Sequence, residues 1–328
     1  MKYRAPLLFF FFCTLFAQAQ GTLPPTFFEG KSVVLVSNDP GAKPSLAWQV
    51  LADSMHSNLV RAGGDPAAYY ELEQVALSAE RQAEYAKAFL QRQIQNIILI
   101  TRQKEQTSIH VGKFSGDGKL ITEANLFGVS GKDWKTAGQQ FAGYGGSTPT
   151  KNLLVPDLAE FPVLVAQTAG SSAQKFLPRN PLNLEVFRLG IPLEGTSAVT
   201  GPINTFRYGA YGKSGEVVLA EQSAQKKGLE EIFSSTYPHE VAWMVEAKSD
   251  PQLIADRIQF VLVKVEGRQA DLMKSMGLEP LTGEEGSKTV VKYYIRFLVR
   301  EELYLGPVWD AHPDWRIALK QFLDNLKK

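Results

Sequence analysis

The sequence predicts an α/β protein made of two tandem pseudo-symmetric units, each a small mixed sheet flanked by helices. Three observations carry that reading. A nine-residue pattern occurs twice: Asp133-Trp134-Lys135-Thr136-Ala137-Gly138-Gln139-Gln140-Phe141 returns as Asp314-Trp315-Arg316-Ile317-Ala318-Leu319-Lys320-Gln321-Phe322, with five of nine positions identical. Upstream matches keep the same order in both halves, Leu126-Phe127-Gly128 with Tyr304-Leu305-Gly306 and Ile94 to Leu99 with Ile258 to Leu262. Ordered matches of this kind signal an internal duplication. Finally, short apolar runs alternate with amphipathic segments, the pattern of sheets covered by helices. The units are expected at about 26–146 and 180–328, with a connecting segment at 147–179.

In the first unit, Val33 to Val36 is a continuous apolar run that suits a strand buried on both faces. Ser37-Asn38-Asp39-Pro40-Gly41 breaks it, and Ser45 is a candidate cap for a helix with Trp48, Leu51, Met55 and Leu59 on one stripe. Gly63-Gly64 ends that helix, and a short strand at Ala67 to Leu72 follows. Ser78 to Arg92 reads as a second helix, Ile97 to Ile100 and Ser108 to Phe114 as a hairpin, and Leu120 to Leu126 as a further short strand. The helix opened by Asp133-Trp134 closes the unit. Between the units, Asn152 to Gln167 is apolar but interrupted by Pro156 and Pro162, as in edge strands or crossing segments.

The second half repeats this order. Leu184 to Leu193 and Glu216 to Leu219 are expected strands, then a helix over Ala220 to Phe233 and a strand over Glu240 to Val245. Asp250-Pro251 starts a helix with proline in its tolerated first turn. Phe260 to Val265 is a strand, and Val290 to Val299 pairs with Glu302 to Leu305 as a hairpin. Trp315, Leu319, Phe322 and Leu326 form the stripe of a last helix. Residues 267–288 are an excursion that the first half lacks, long enough to carry structure or function of its own. Trp134 and Trp315, each followed by a phenylalanine seven residues on, are expected as buried anchors of the two closing helices.

The amino terminus reads as a cleavable signal peptide over 1–19. Lys2 and Arg4 precede the apolar run Ala5 to Phe16, and Ala17-Gln18-Ala19 supplies the cleavage site, so Gln20 is the expected first mature residue. The apolar run falls short of the ~20 residues of a membrane span. The expectation is therefore an exported protein, periplasmic or secreted, with no membrane span in the mature chain. Cys13 is the only cysteine and leaves with the signal, which excludes disulfides, thiolate nucleophiles and zinc–thiolate sites. Loss of Lys2 and Arg4 turns a net charge of +1 into −1, without the basic field that nucleic-acid binding needs.

The strand–helix–strand–helix–hairpin order resembles small envelope α/β domains such as the amino-terminal domain of TolB and the curli-export lipoprotein. The tail Tyr304-x-Gly306-x-x-Trp309-Asp310-Ala311, with Trp315 and Ala318, is similar to exported bacterial proteins, some of them labelled NTPases. These resemblances imply topology and export and transfer no site residue.

The residues themselves do not support a nucleotide site. A phosphate loop needs G-x-x-x-x-G-K-[ST] between strand and helix, and Gly209-Ala210-Tyr211-Gly212-Lys213-Ser214 has its glycines two residues too close. Gly131-Lys132-Asp133 lacks the hydroxyl that would hold magnesium. Ser172-Ala173-Gln174-Lys175 and Ser223-Ala224-Gln225-Lys226 match the acyl-serine signature without its companion motifs. Gly128-Val129-Ser130-Gly131 lacks the spacing of a nucleophile elbow.

The most chemically suggestive cluster is Asp310, His312 and Asp314 between Trp309 and Trp315, a candidate metal or general-base site. Helix-start chemistry explains it more economically: Pro313 suits a first turn and Asp314 the positive helix end. His56, His110 and His239 are isolated, without ligand spacing. Lys292, Arg296 and Arg300 share one strand face, readable as a solvated face or a strip for an acidic partner. The function expected is thus a non-catalytic binding or envelope-assembly module, with an unknown ligand or envelope protein as partner. No cofactor, metal or catalytic residue is assigned. The alternative is an exported hydrolase, possibly metal-dependent, using Asp310, His312 and Asp314. A ligand groove is expected where 143–182 meets both units.

Overall fold

The computed structural model describes residues 21–122, 126–145, 175–193, 201–245 and 248–326. The expected signal peptide, Asn152 to Gln167 and the connecting segment up to residue 174 lie outside these residues.

The first unit runs α1 (Thr26–Glu29), β1 (Lys31–Asn38), α2 (Trp48–Arg61), β2 (Asp65–Glu71), α3 (Leu72–Val75), α4 (Ala79–Gln91), β3 (Ile94–Arg102), β4 (Thr107–Lys113), β5 (Phe127–Gly131) and α5 (Trp134–Ala142). Its sheet has the order β2-β1-β3-β4-β5. The first three strands are parallel, and β4 and β5 are added antiparallel. Val33 to Val36 are fully buried because helices cover both faces. Val34, Val36, Ile98 and Ile100 pack on α2 and α5, whereas Val33, Leu35, Ile97 and Leu99 pack on α3 and α4.

The second unit runs β6 (Lys175–Phe176), β7 (Arg188–Pro192), a 3-10 helix over Pro202–Phe206, α6 (Gly215–Thr236), β8 (Val241–Met244), α7 (Asp250–Ala255), β9 (Ile258–Arg268), α8 (Gln269–Ser275), α9 (Gly283–Ser287), β10 (Thr289–Phe297), β11 (Glu302–Tyr304) and α10 (Trp315–Leu326). Its sheet order is β6-β11-β10-β9-β7-β8. With the edge strand β6 set aside, β8-β7-β9-β10-β11 repeats the order and directions of the first sheet.

The correspondence extends to irregularities. Gln93 and Arg257, each between a helix cap and the third strand of its unit, both take left-handed backbone with φ of 57° and 61°. The first strands shift register at equivalent places, between Lys31 and Ser32 and between Arg188 and Leu189. The left-handed residues differ, Gln93 against Arg257, but each precedes the same Ile-Gln pair, so the shared irregularity accompanies the sequence repeat.

Several expectations need correction. Glu216 to Leu219 is helical, part of α6, whose start is set by Ser214 Oγ accepting the Val217 N–H. The β-branched pair Val217-Val218 is therefore overruled by a capped helix. The strand expected over Leu184 to Leu193 is confined to Arg188–Pro192; of the strand expected over Leu120 to Leu126, residues 123–125 lie outside the described residues, and among the described ones Ile121 bridges to Phe114. Helix α2 starts after Ala47 with no side-chain cap, so Ser45 does not fill that role.

Trp134 and Trp315 are only half-buried. Phe141, Phe322, Ala137 and Ala318 are the fully buried anchors. Each tryptophan sits at the outer first turn of its helix, where Arg102 lies over Trp134 and Arg316 over Trp315. Trp315 also lies across Gly228 of α6, where an added Cβ would meet its Cη2 at 3.1 Å.

The excursion at 267–288 is structured. It holds α8 and α9 between β9 and β10, where the first unit has the short turn between β3 and β4. A second difference follows β11: ten residues separate Tyr304 from Trp315, whereas only Lys132 and Asp133 separate β5 from α5.

The two units pack directly on each other. Leu77 joins Val265, Leu272 and Tyr294 in one apolar cluster. Arg268 pairs with Glu71 at 2.6 Å, and the Tyr294 hydroxyl donates to Glu80 at 3.0 Å. Arg296 lies between Glu80 and Asp250. Among the described residues no helix is long and apolar enough to cross a membrane.

Candidate functional site

In an open sheet whose strand order reverses, ligands collect beyond the carboxyl ends of the strands at the reversal. In the first unit that place is the gap between the ends of β1 and β3, lined by Ser37, Asn38, Thr101, Arg102 and Gln103. The second unit fills it. Thr101 Oγ1 donates to the Phe206 carbonyl at 2.6 Å, and the Tyr208 N–H donates to Ser37 Oγ at 2.8 Å. Gln103 Nε2 donates to the carbonyls of Tyr208 and Tyr211 at 3.0 and 3.2 Å. Ile203 and Phe206 belong to the first unit's own core. Below this strap, residues 203–211, Ser37 Oγ donates to Glu73 at 2.5 Å, and burial holds the Glu73 carboxyl above the ordinary range. Burial also lowers the His110 imidazole to about 4, and its Nδ1 is buried with no hydrogen bond.

The cluster singled out near the carboxyl terminus is divided by the fold. Asp310 points inward and meets Lys292 at 2.6 Å, with side chains 3% and 0% exposed. Asn325 Nδ2 donates to the other Asp310 oxygen at 3.1 Å. The Lys292 ammonium also donates to the carbonyls of Tyr293 and Leu305, so all three donors are used. Burial lowers the Lys292 pKa against the pull of Asp310. His312 instead joins the sheet edge through backbone bonds with Val291, and its Nδ1 accepts the Asp314 N–H at 2.9 Å. Asp314 in turn accepts the Arg316 N–H at 2.8 Å. His312 and Asp314 thus shape the start of α10, while Asp310 anchors the core. Among the described residues no three of His, Cys, Asp and Glu are grouped to hold a metal ion.

The other basic and histidine positions are also placed. Lys292 is buried, Arg296 bridges two carboxylates, and only Arg300 is exposed, beside Glu302. The strip expected to face solvent or an acidic partner therefore does not exist as a face. His56 Nδ1 meets the Tyr69 hydroxyl at 2.7 Å, and His239 rests edge-on against Tyr237. Gly209 to Lys213 is a turn ending at the α6 cap, and Ser223 bonds back to the Leu219 carbonyl within α6. Gly128 to Gly131 lies in β5. Ser172 to Gln174 lie outside the described residues.

An open cleft of about 310 Å³ lies on the second unit. One wall is Met276-Gly277-Leu278, just after α8; the other is Leu305 to Trp309; Phe176, Leu177 and Pro178 close one end. Among the described residues no charged side chain lines it. Val308 is 56% exposed and Leu278 39%. The Trp309 indole N–H points to Gln269 Oε1 at 3.5 Å. Behind the cleft, the Lys292–Asp310 pair fixes the second wall, since Lys292 bonds the Leu305 carbonyl and Asp310 adjoins Trp309. The groove expected where 143–182 meets both units falls mostly on residues outside the described ones; this cleft is lined by the second unit alone, Phe176 to Pro178 included.

Comparison of the chain with protein-family models, with curated proteins and with solved structures returns no match.

Proposed function

We propose that this chain is an exported, non-catalytic binding module whose contact surface is the apolar cleft between 276–278 and 305–309. One observation carries the reading: both walls come from connections that are longer in the second unit than in the first, between β9 and β10 and between β11 and α10. In a duplicated fold the shared parts maintain architecture, and added segments that converge on one exposed apolar cavity are the natural place for recognition. The volume sits at the lower end of the ~300–1,000 Å³ range of small-molecule sites. The lining selects an uncharged, apolar ligand group, because a charged group would lose its hydration with no partner in return.

The hydrolase alternative gains nothing from the geometry, since Asp310 is committed to Lys292 and Asn325 while His312 and Asp314 are committed to the helix start. The test is titration with N-phenyl-1-naphthylamine, a neutral fluorescent probe. Saturable binding to the full chain, weakened at least tenfold by Leu278→Asp and by Trp309→Ala, is the expected outcome. Absence of saturable binding, or equal binding to both variants, would remove the reading. Export is tested separately by the intact mass of the protein from cell envelopes, expected to begin at Gln20.

A further inference from the structure

We propose that the apolar cleft continues inward to a small head pocket at Glu80, and that its ligand is an uncharged long-chain molecule ending in a hydroxyl group. This rests on the cleft being a binding site and names the chemistry that the site takes.

A second, smaller cavity of about 10 Å³ lies where the start of α4 meets the second sheet. Glu80, Ser78, Ser275 and Tyr294 contribute its polar lining. Phe176 and Met276 line both this cavity and the cleft, so their side chains form the partition between the two. The Glu80 side chain is 8% exposed. Its Oε2 accepts the Tyr294 hydroxyl at 3.0 Å, whereas its Oε1 is buried with no hydrogen bond. Arg296 Nε comes no nearer to Oε1 than 3.6 Å. A buried carboxylate oxygen without a donor is costly, and a group that brings one is favoured there.

Size and charge select that group. The cavity has room for about one water-sized group, too little for a carboxylate, a phosphate or a sugar. An anion would also meet the Glu80 charge, and a cation would meet the Arg296 guanidinium beside the same oxygen. A hydroxyl satisfies both limits. Leu77, Val265, Leu272 and Leu303 complete the lining and suit the methylene next to it. The chain would then pass Met276 into the cleft. Met276 is unbranched and can swing aside while its backbone stays fixed. Its N–H bonds the Leu272 carbonyl, and the Leu278 N–H bonds that of Met273 across Gly277, at φ 71°.

The experiment displaces bound N-phenyl-1-naphthylamine from the full chain with 1-decanol and with decyl methyl ether, which has the same chain and no donor. The alcohol should act at concentrations at least about fivefold lower, although hydrophobicity alone favours the ether. In Glu80→Gln the amide oxygen stays with Tyr294 and the NH2 turns to the cavity, so the preference for the alcohol should disappear. Saturable probe binding with the ether displacing as well as the alcohol overturns the head pocket and leaves the cleft standing. A folded Glu80→Gln chain that keeps the full preference also overturns it. Absence of saturable probe binding removes cleft and head pocket together. If Glu80→Gln does not fold, the alcohol–ether ratio on the wild-type chain decides alone.

Discussion

His110 makes the fold sensitive to acid in a way that can be calculated. Its imidazole lies against Phe206, Tyr211 and Gly128, and burial lowers its pKa from 6.5 to about 4. The unfolded chain therefore takes up a proton below pH 6.5 that the folded chain refuses until about pH 4. More protons on the unfolded state mean that stability falls as pH drops through this window and is flat above it. A gap of about 2.5 in pKa, at ~1.36 kcal/mol each, amounts to about 3 kcal/mol in full and about 2 kcal/mol by pH 5. Burial raises the pKa of Glu71 and Glu73, which act in the opposite sense, favouring the folded state at low pH. These carboxyls titrate in any His110 variant as well, so a difference measurement isolates the histidine. The perturbation is His110→Phe, and the assay is urea unfolding from pH 8 to pH 4.5. Whatever its stability at pH 8, the variant should gain on the wild type by about 2 kcal/mol by pH 5. Parallel pH profiles for the two proteins would show that the imidazole does not titrate with a lowered pKa, and would refute the reasoning.

Other consequences follow from burial and backbone. Lys292→Met leaves the Asp310 carboxylate buried without its cation and should cost about 3–5 kcal/mol, part of which Asp310→Asn in the same chain restores; urea midpoints measure both. Phe322→Ala removes a fully buried ring and should cost about 3–5 kcal/mol, with Trp315→Ala costing less because the indole is half-buried, a ranking that thermal melts would read. Gln93→Val and Arg257→Val place a β-branched residue on left-handed backbone and should each lower stability by about 1–2 kcal/mol, to similar extents if the two units are true structural repeats.

Much of the architecture is legible because it depends on local periodicity and on recurrence. The Asp-Trp helix starts, the continuous Val33 to Val36 run and the extra length between Phe260 and Val290 are all visible along the chain, and each corresponds to an element. Glu216 to Leu219 misleads because its three apolar residues have no period of their own, and the cap that decides their state lies just outside the run. Lys292 misleads for a different reason. Its alternation with Tyr294 and Arg296 is that of an exposed face, yet Asp310 arrives from beyond β11 to neutralise it in the core. A lysine inside Val290-Val291-Lys292-Tyr293-Tyr294-Ile295 was the available signal, because a charge amid buried neighbours requires a partner. The strap left no comparable trace. Its bonds to Ser37, Thr101 and Gln103 join residues more than a hundred positions apart, a distance over which spacing carries no information.

If the second unit's longer connections form a binding surface, hydrogen exchange of the full chain with and without N-phenyl-1-naphthylamine will map the probe onto them. Protection is expected at 276–278 and 305–309, with the matching turn at 103–106 of the first unit unchanged. Protection elsewhere with none at the cleft, or no protection at saturating probe, would contradict it.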